Sequence, residues 1–156
     1  IGKYINIGSR TQNFLVKLNE SKIIANSLKK SHEFKDTYKE IIAQIDAREY
    51  SKALRNIMML ADKVNAYVST EEPWNKAKNG MEKECLEICS ESLNVFKDLT
   101  ILLQSFMPEI TSEVLSMLNL DKLSYSDLGS DNIESVQKFK PFITRLEKNN
   151  FEGILD

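Results

Sequence analysis

Three residues near the start of the chain, Asn6, Arg10 and Asn13, fall at i, i+4 and i+7, so on a helix their side chains project from one face. Their chemistry is hydrogen bonding. Arginine only donates, a carboxamide both donates and accepts, and such groups suit the edges of nucleic-acid bases. Exposed positions elsewhere are filled by Glu and Lys, which sets this stripe apart, although it also fits the solvated side of an ordinary surface helix. A second candidate is Trp74, the only tryptophan, which follows Pro73 in Thr70-Glu71-Glu72-Pro73-Trp74. The proline forbids continuation of a preceding helix and leaves Trp74 at or near a loop. There its ring is either a stacking plane for an unstacked base or, as in most helical proteins, a core anchor.

Other chemistry finds little support. Cys85 and Cys89 stand four apart in a helical pattern, where a disulfide would fight helix geometry and a zinc site lacks further ligands, so they read as reduced core thiols. His32 is the only histidine and reads as a helix-start or water-facing residue without a role. The five glycines are scattered, so no phosphate loop forms, and no catalytic or metal-ligating set emerges. Charge is asymmetric. Residues 1–30 hold Lys3, Arg10, Lys17, Lys22, Lys29 and Lys30 against Glu20 alone, a balance of +5, whereas the whole chain carries −2, leaving −7 for the rest. A basic first helix on an acidic body would orient a polyanion, or the lysines simply solubilise an exposed helix.

The elements that must position these groups are helical. A chain of 156 residues, 42% hydrophobic and 28% charged, with few Gly and Pro, fits one globular domain and argues against a β-sandwich, a barrel or disorder. No apolar run approaches the ~20 residues that span a bilayer, and the start lacks the apolar core of a signal peptide, so no membrane association or export is expected. Apolar spacing predicts helix one from Ile1 to about Leu18, with Ile1, Ile5, Leu15 and Leu18 inward and Gly8 admitting a close neighbour. Helix two runs from Ser31 to about Asp46 on Phe34, Tyr38, Ile41, Ile42 and Ile45, and helix three from Tyr50 to Val68. Helix four spans about Met81 to Gln104, burying Leu86, Cys89, Leu93, Phe96, Leu99 and Leu103. Helix five starts at Pro108, with Ile110, Val114 and Leu118 inward. After Leu120 the pattern fades. Residues 121–156 read as an irregular segment, briefly extended at 138–142, ending in a short helix over 147–156. The whole is expected to be all-α, a single domain over 1–156 built as an antiparallel bundle of about five helices.

Several segments, in the right order, resemble one family. Asn6-Ile7-Gly8-Ser9-Arg10 is similar to the opening helix of the anticodon-binding domain of methionyl-tRNA synthetases. Ala53 to Tyr67, ALRNIMMLADKVNAY, is similar to that family's central helix; Glu72-Pro73-Trp74-Asn75-Lys76-Ala77-Lys78 resembles its Pro-Trp motif, and Phe106-Met107-Pro108-Glu109-Ile110-Thr111-Ser112-Glu113 its next helix start. Two departures stand out: Gly2 sits where bacterial relatives often place asparagine, and the tail Phe142 to Glu147 matches only loosely. The family's catalytic signatures H-I-G-H and K-M-S-K-S are absent, and the chain reads as an excised C-terminal domain.

The resemblance implies a domain that selects tRNA(Met) through its anticodon loop while a catalytic domain of the same polypeptide joins methionine to tRNA with ATP, in the cytoplasm and without DNA or membrane partners. This domain would itself catalyse nothing and hold no cofactor. The family's anticodon begins with cytosine, whose O2 and N3 acceptors suit Arg10. Asn6, Arg10, Trp74 and Pro73 would form the anticodon site with Asn13 in support, and Lys3, Lys17, Lys76 and Lys78 would meet phosphates. Two other readings remain: the anticodon-binding domain of a sister enzyme of the same class, such as the cysteine, valine or isoleucine synthetase, or a helical protein-interaction module.

Overall fold

A computed structural model of the chain describes residues 1–140. Those residues form seven α-helices: α1 (Gly2–Leu18), α2 (Lys29–Glu33), α3 (Lys35–Asp46), α4 (Tyr50–Glu71), α5 (Pro73–Lys78), α6 (Glu82–Leu103) and α7 (Pro108–Met117). A 3-10 turn over Tyr125–Asp127 follows. Five of the helices are long, α1, α3, α4, α6 and α7, so the expected all-α bundle of about five helices is the architecture. The expected second helix is in fact two, broken where Phe34 takes φ −98° and ψ 2°. The expected terminal helix over 147–156 lies outside the described residues, as do Pro141 and Phe142, and residues 138–140 adopt no regular structure. None of the described helices is long and apolar enough to cross a membrane.

The bundle is organised around α6. Every residue from Cys85 to Leu103 is buried except Glu87 and Glu91, which are half-buried. A one-sided apolar stripe was the expectation here. Instead α1, α2, α4, α5 and α7 all pack on α6, so its polar positions are covered too and need internal partners. Ser92 and Thr100 donate to the carbonyls of Ile88 and Phe96 one turn back. Cys85 and Cys89 are buried and unbridged, and burial pushes both thiols up from their ordinary pKa.

Helix α1 presents a different face to the core from the expected one. Tyr4, Ile7, Gly8, Thr11, Gln12 and Leu15 are buried, whereas Ile1 is exposed and Ile5 and Leu18 are half-buried. The inward stripe includes polar tips because α6 supplies a partner: the Tyr4 and Thr100 hydroxyls bond at 2.7 Å. Gly8 permits the close approach its type suggested, since a Cβ there would lie 2.9 Å from Cε1 of Phe96. Tyr4 meeting Thr100 and Gly8 meeting Phe96 makes α1 antiparallel to α6. Helices α1 and α4, by contrast, run side by side in the same direction. Lys3 meets Asp62, Asn6 meets Asn65 and Arg10 meets Ser69, each pair separated by 59 residues.

The segment after α7 is irregular but pinned. Lys97 and Asp98 are fully buried neighbours on α6. The Lys97 ammonium donates to the carbonyls of Asp127 and Ser130 at 3.2 and 2.6 Å and to Oδ1 of Asn132 at 3.0 Å, and lies 3.3 Å from Asp98. Asp98 in turn accepts from the Gly129 amide at 3.0 Å and from the Ser31 hydroxyl. A buried charge pair survives only when its remaining donors and lone pairs are satisfied, as they are here. His32 is exposed, with Nε2 3.1 Å from the Gly129 carbonyl.

Candidate nucleic-acid interface

The groove between the parallel helices α1 and α4 collects three of the polar residues singled out in the sequence, Lys3, Asn6 and Arg10. Helical periodicity puts Asn6, Arg10 and Asn13 on one face of α1, and Lys3 and Lys17 continue the same row. Asn65 of α4 ties this row down. Its Oδ1 accepts from Asn6 Nδ2 at 3.0 Å, while its Nδ2 donates to the carbonyls of Lys3 at 2.7 Å and of Ala61 at 2.9 Å. One side chain thus fixes both its own rotamer and that of Asn6, with donor and acceptor capacity used on opposite sides.

Arg10 is held by three neutral groups. Its Nη1 donates to the Asn65 carbonyl at 3.4 Å, its Nη2 donates to the Ser69 hydroxyl at 3.0 Å, and its guanidinium carbon sits 5.2 Å from the centroid of the Trp74 ring. That last distance is a cation–π contact, worth ~0.5–1 kcal/mol at an exposed site. The structure therefore sets Trp74 against Arg10, from which the chain separates it by 64 residues, with Asn6 one turn away on α1.

Trp74 is not on a loop. Pro73 is buried at the first position of α5, where its missing N–H costs nothing, and Trp74 follows as the second residue of that short helix. The break between α4 and α5 is made by Glu72, which caps both at φ 47° and ψ 59°. The ring is half-buried, neither a fully buried anchor nor a free loop side chain.

The remaining candidates divide. Asn13 is exposed one turn beyond Arg10. Lys17 and Lys78 are exposed as well, and the salt bridges among the described residues engage neither. Lys3 is paired with Asp62 at 2.6 Å and Lys76 with Glu71 at 3.5 Å. Asp62, Asn65 and Ser69, which organise the groove, were not singled out in the sequence. The signal available was their spacing: 62, 65 and 69 are i, i+3 and i+7, a polar row on the helix that the family resemblance had already picked out. Among the described residues no group of three His, Cys, Asp or Glu side chains could hold a metal ion.

The chain is 36% identical over 163 residues to a methionine–tRNA ligase of Herminiimonas arsenicoxydans and 34% identical over 160 residues to that of Psychrobacter cryohalolentis, in each case with 100% of this chain and 23% of the relative aligned. The chain thus spans about a quarter of the length of these relatives. Among solved structures, the ligand-free Mycobacterium tuberculosis methionyl-tRNA synthetase shares the fold, with a TM-score of 0.74 at 18% identity, over 88% of this chain and 30% of that one. A profile described as the anticodon binding domain of methionyl tRNA ligase matches residues 18–155, starting where α1 ends; the whole-chain relatives take in Asn6 and Arg10 as well. The chain belongs to the family of methionyl-tRNA ligase anticodon-binding domains.

Proposed function

We propose that this chain recognises tRNA for a methionyl-tRNA synthetase, and that Asn6, Arg10 and Trp74 receive the first base of the anticodon. The observation that carries the reading is the Arg10–Trp74 contact at 5.2 Å, with Asn6 one turn away and fixed by Asn65. Single-stranded loops are captured by an aromatic plane together with hydrogen-bond donors aimed at the base edge, and these three side chains supply both. A stacked base is worth ~1–3 kcal/mol and is sequence-tolerant, so discrimination falls to Arg10 and Asn6. The donor-only guanidinium matches the O2 and N3 acceptors of cytosine. Pro73 fixes the start of α5, and Asn13 extends the reading face.

Lys17 and Lys78 are the phosphate contacts that this surface offers directly. Lys3 and Lys76 contribute only after leaving Asp62 and Glu71. In the longer polypeptide, a catalytic domain would join methionine to the tRNA with ATP in the cytoplasm, and this domain would select which tRNA is charged.

The test is binding of tRNA carrying cytosine or uracil at the first anticodon position, measured over a range of salt concentrations. Preference for cytosine and a shallow salt dependence are expected, because few lysines are free to release counterions. No binding at low salt, or equal binding of the two tRNAs, would refute the reading and favour a protein-interaction module.

A further inference from the structure

The Arg10–Trp74 contact raises a question that the proposed function leaves open. A platform that stacks any base is indiscriminate, because every base has a π face. Here the ring is half-buried, and the guanidinium of Arg10 lies over it, occupying surface that a base would need. The same guanidinium is tied back by its hydrogen bonds to the Ser69 hydroxyl at 3.0 Å and the Asn65 carbonyl at 3.4 Å. Those donors are thus turned toward α4 and are not all available to a base edge.

We propose that the free protein keeps its platform closed: Arg10, latched by Ser69 over Trp74, must be displaced by the incoming base, and only a base that then satisfies the released guanidinium recovers what the latch held. This inference rests on the proposed function above. The latch makes stacking and edge reading interdependent. A cytosine that pushes Arg10 aside offers it two acceptors in exchange for the hydroxyl and the carbonyl. A base without that acceptor pattern gains the stacking surface but leaves guanidinium donors unpaired, which selects against it. The latch is also built to open. Both its hydrogen-bond acceptors are neutral, the Asn65 contact is long, and Ser69 stands exposed on α4, so no buried carboxylate has to be abandoned.

The test uses Ser69→Ala, which removes one tether without touching Arg10, Asn6 or Trp74, and which suits an exposed helical position. Because Trp74 is the only tryptophan, intrinsic fluorescence reports on it alone. Acrylamide quenching of the RNA-free chain is expected to be stronger in Ser69→Ala than in the parent. In binding to anticodon stem-loops, the variant is expected to hold the cytosine and the uracil loop each about five-fold more tightly, the equivalent of one neutral hydrogen bond, with the preference for cytosine unchanged, because the latch is released before either base stacks. Arg10→Ala, which opens the ring fully, should show quenching at least as strong and bind the two loops alike. Unchanged quenching in Ser69→Ala overturns the latch. So does a weaker grip on the cytosine loop, which would make Ser69 an aid to reading and not a restraint. Should the parent bind neither loop, the anticodon reading fails, while the quenching comparison still decides whether Arg10 covers the ring.

Discussion

Asn6 donates to the side-chain oxygen of Asn65 at 3.0 Å, and that bond joins two parallel helices along the polar row of α1. Asn65 spends its two donors on carbonyls of α1 and α4, so it serves α1–α4 packing and site geometry together. Asn65→Asp keeps the size and the acceptor but sets lone pairs against those carbonyls. A loss of ~1–3 kcal/mol of stability is expected for the two lost hydrogen bonds and the new repulsion between carboxylate and carbonyl oxygens. Discrimination at the first anticodon position should fall with it. Chemical denaturation and stem-loop binding check the two effects separately, and a variant with normal discrimination would show that Asn6 does not depend on Asn65.

Gly8→Ala tests the packing of α1 on α6. Alanine gains ~1 kcal/mol in a helix interior. Its methyl would nevertheless fall 2.9 Å from Cε1 and 3.1 Å from Cζ of Phe96, a ring fully buried and packed against Tyr4 at a centroid distance of 4.8 Å. Overpacking of a fixed ring costs ~1–3 kcal/mol, so the net effect should be destabilising. A lowered Tm with unchanged unfolding cooperativity is the expected result, and a raised Tm would show that Phe96 can give way.

Trp74→Ala separates platform from anchor. For a half-buried ring the stability loss should fall below the ~3–5 kcal/mol of a fully buried aromatic, whereas binding of the cytosine stem-loop should drop sharply. Trp74→Phe should retain part of the binding. Thermal unfolding measured beside affinity decides it, and a large stability loss with binding preserved would remove Trp74 from the site.

Arg10→Lys keeps the charge but loses the planar fork of donors. Lysine cannot address two cytosine acceptors at once, so the variant should bind cytosine and uracil loops with nearly equal affinity while its stability changes little. Retained discrimination would exclude direct reading by Arg10.

Lys97→Met probes the pinned segment. It leaves Asp98 buried without its cation and strips a donor from the carbonyls of Asp127 and Ser130. Breaking one side of a buried pair costs ~3–5 kcal/mol. Replacing Lys97 and Asp98 together by apolar residues should recover part of that loss. Denaturant midpoints of the single and double variants test the coupling.

Helix ends and faces set by local chemistry were legible in the chain. Pro108 begins α7 because its fixed φ and missing N–H suit a first turn. The row of Asn6, Arg10 and Asn13 followed from a period that any helix imposes. Gly8 announced a close approach before its neighbour was known. What the chain did not disclose depends on how helices settle against one another. The parallel register of α1 and α4 is fixed by both packing on α6, and only that register sets Asn65 beneath Asn6 and Ser69 beside Arg10. Trp74 reads as a loop residue until α5 turns back onto α6 and carries the ring under the guanidinium. Nothing local in the chain marks Lys97 and Asp98 as internal, and burial on every side of α6 made them so. Local rules act within a few residues and are visible in order; the groove joins residues 59 apart, and only side-chain packing chooses which of them meet.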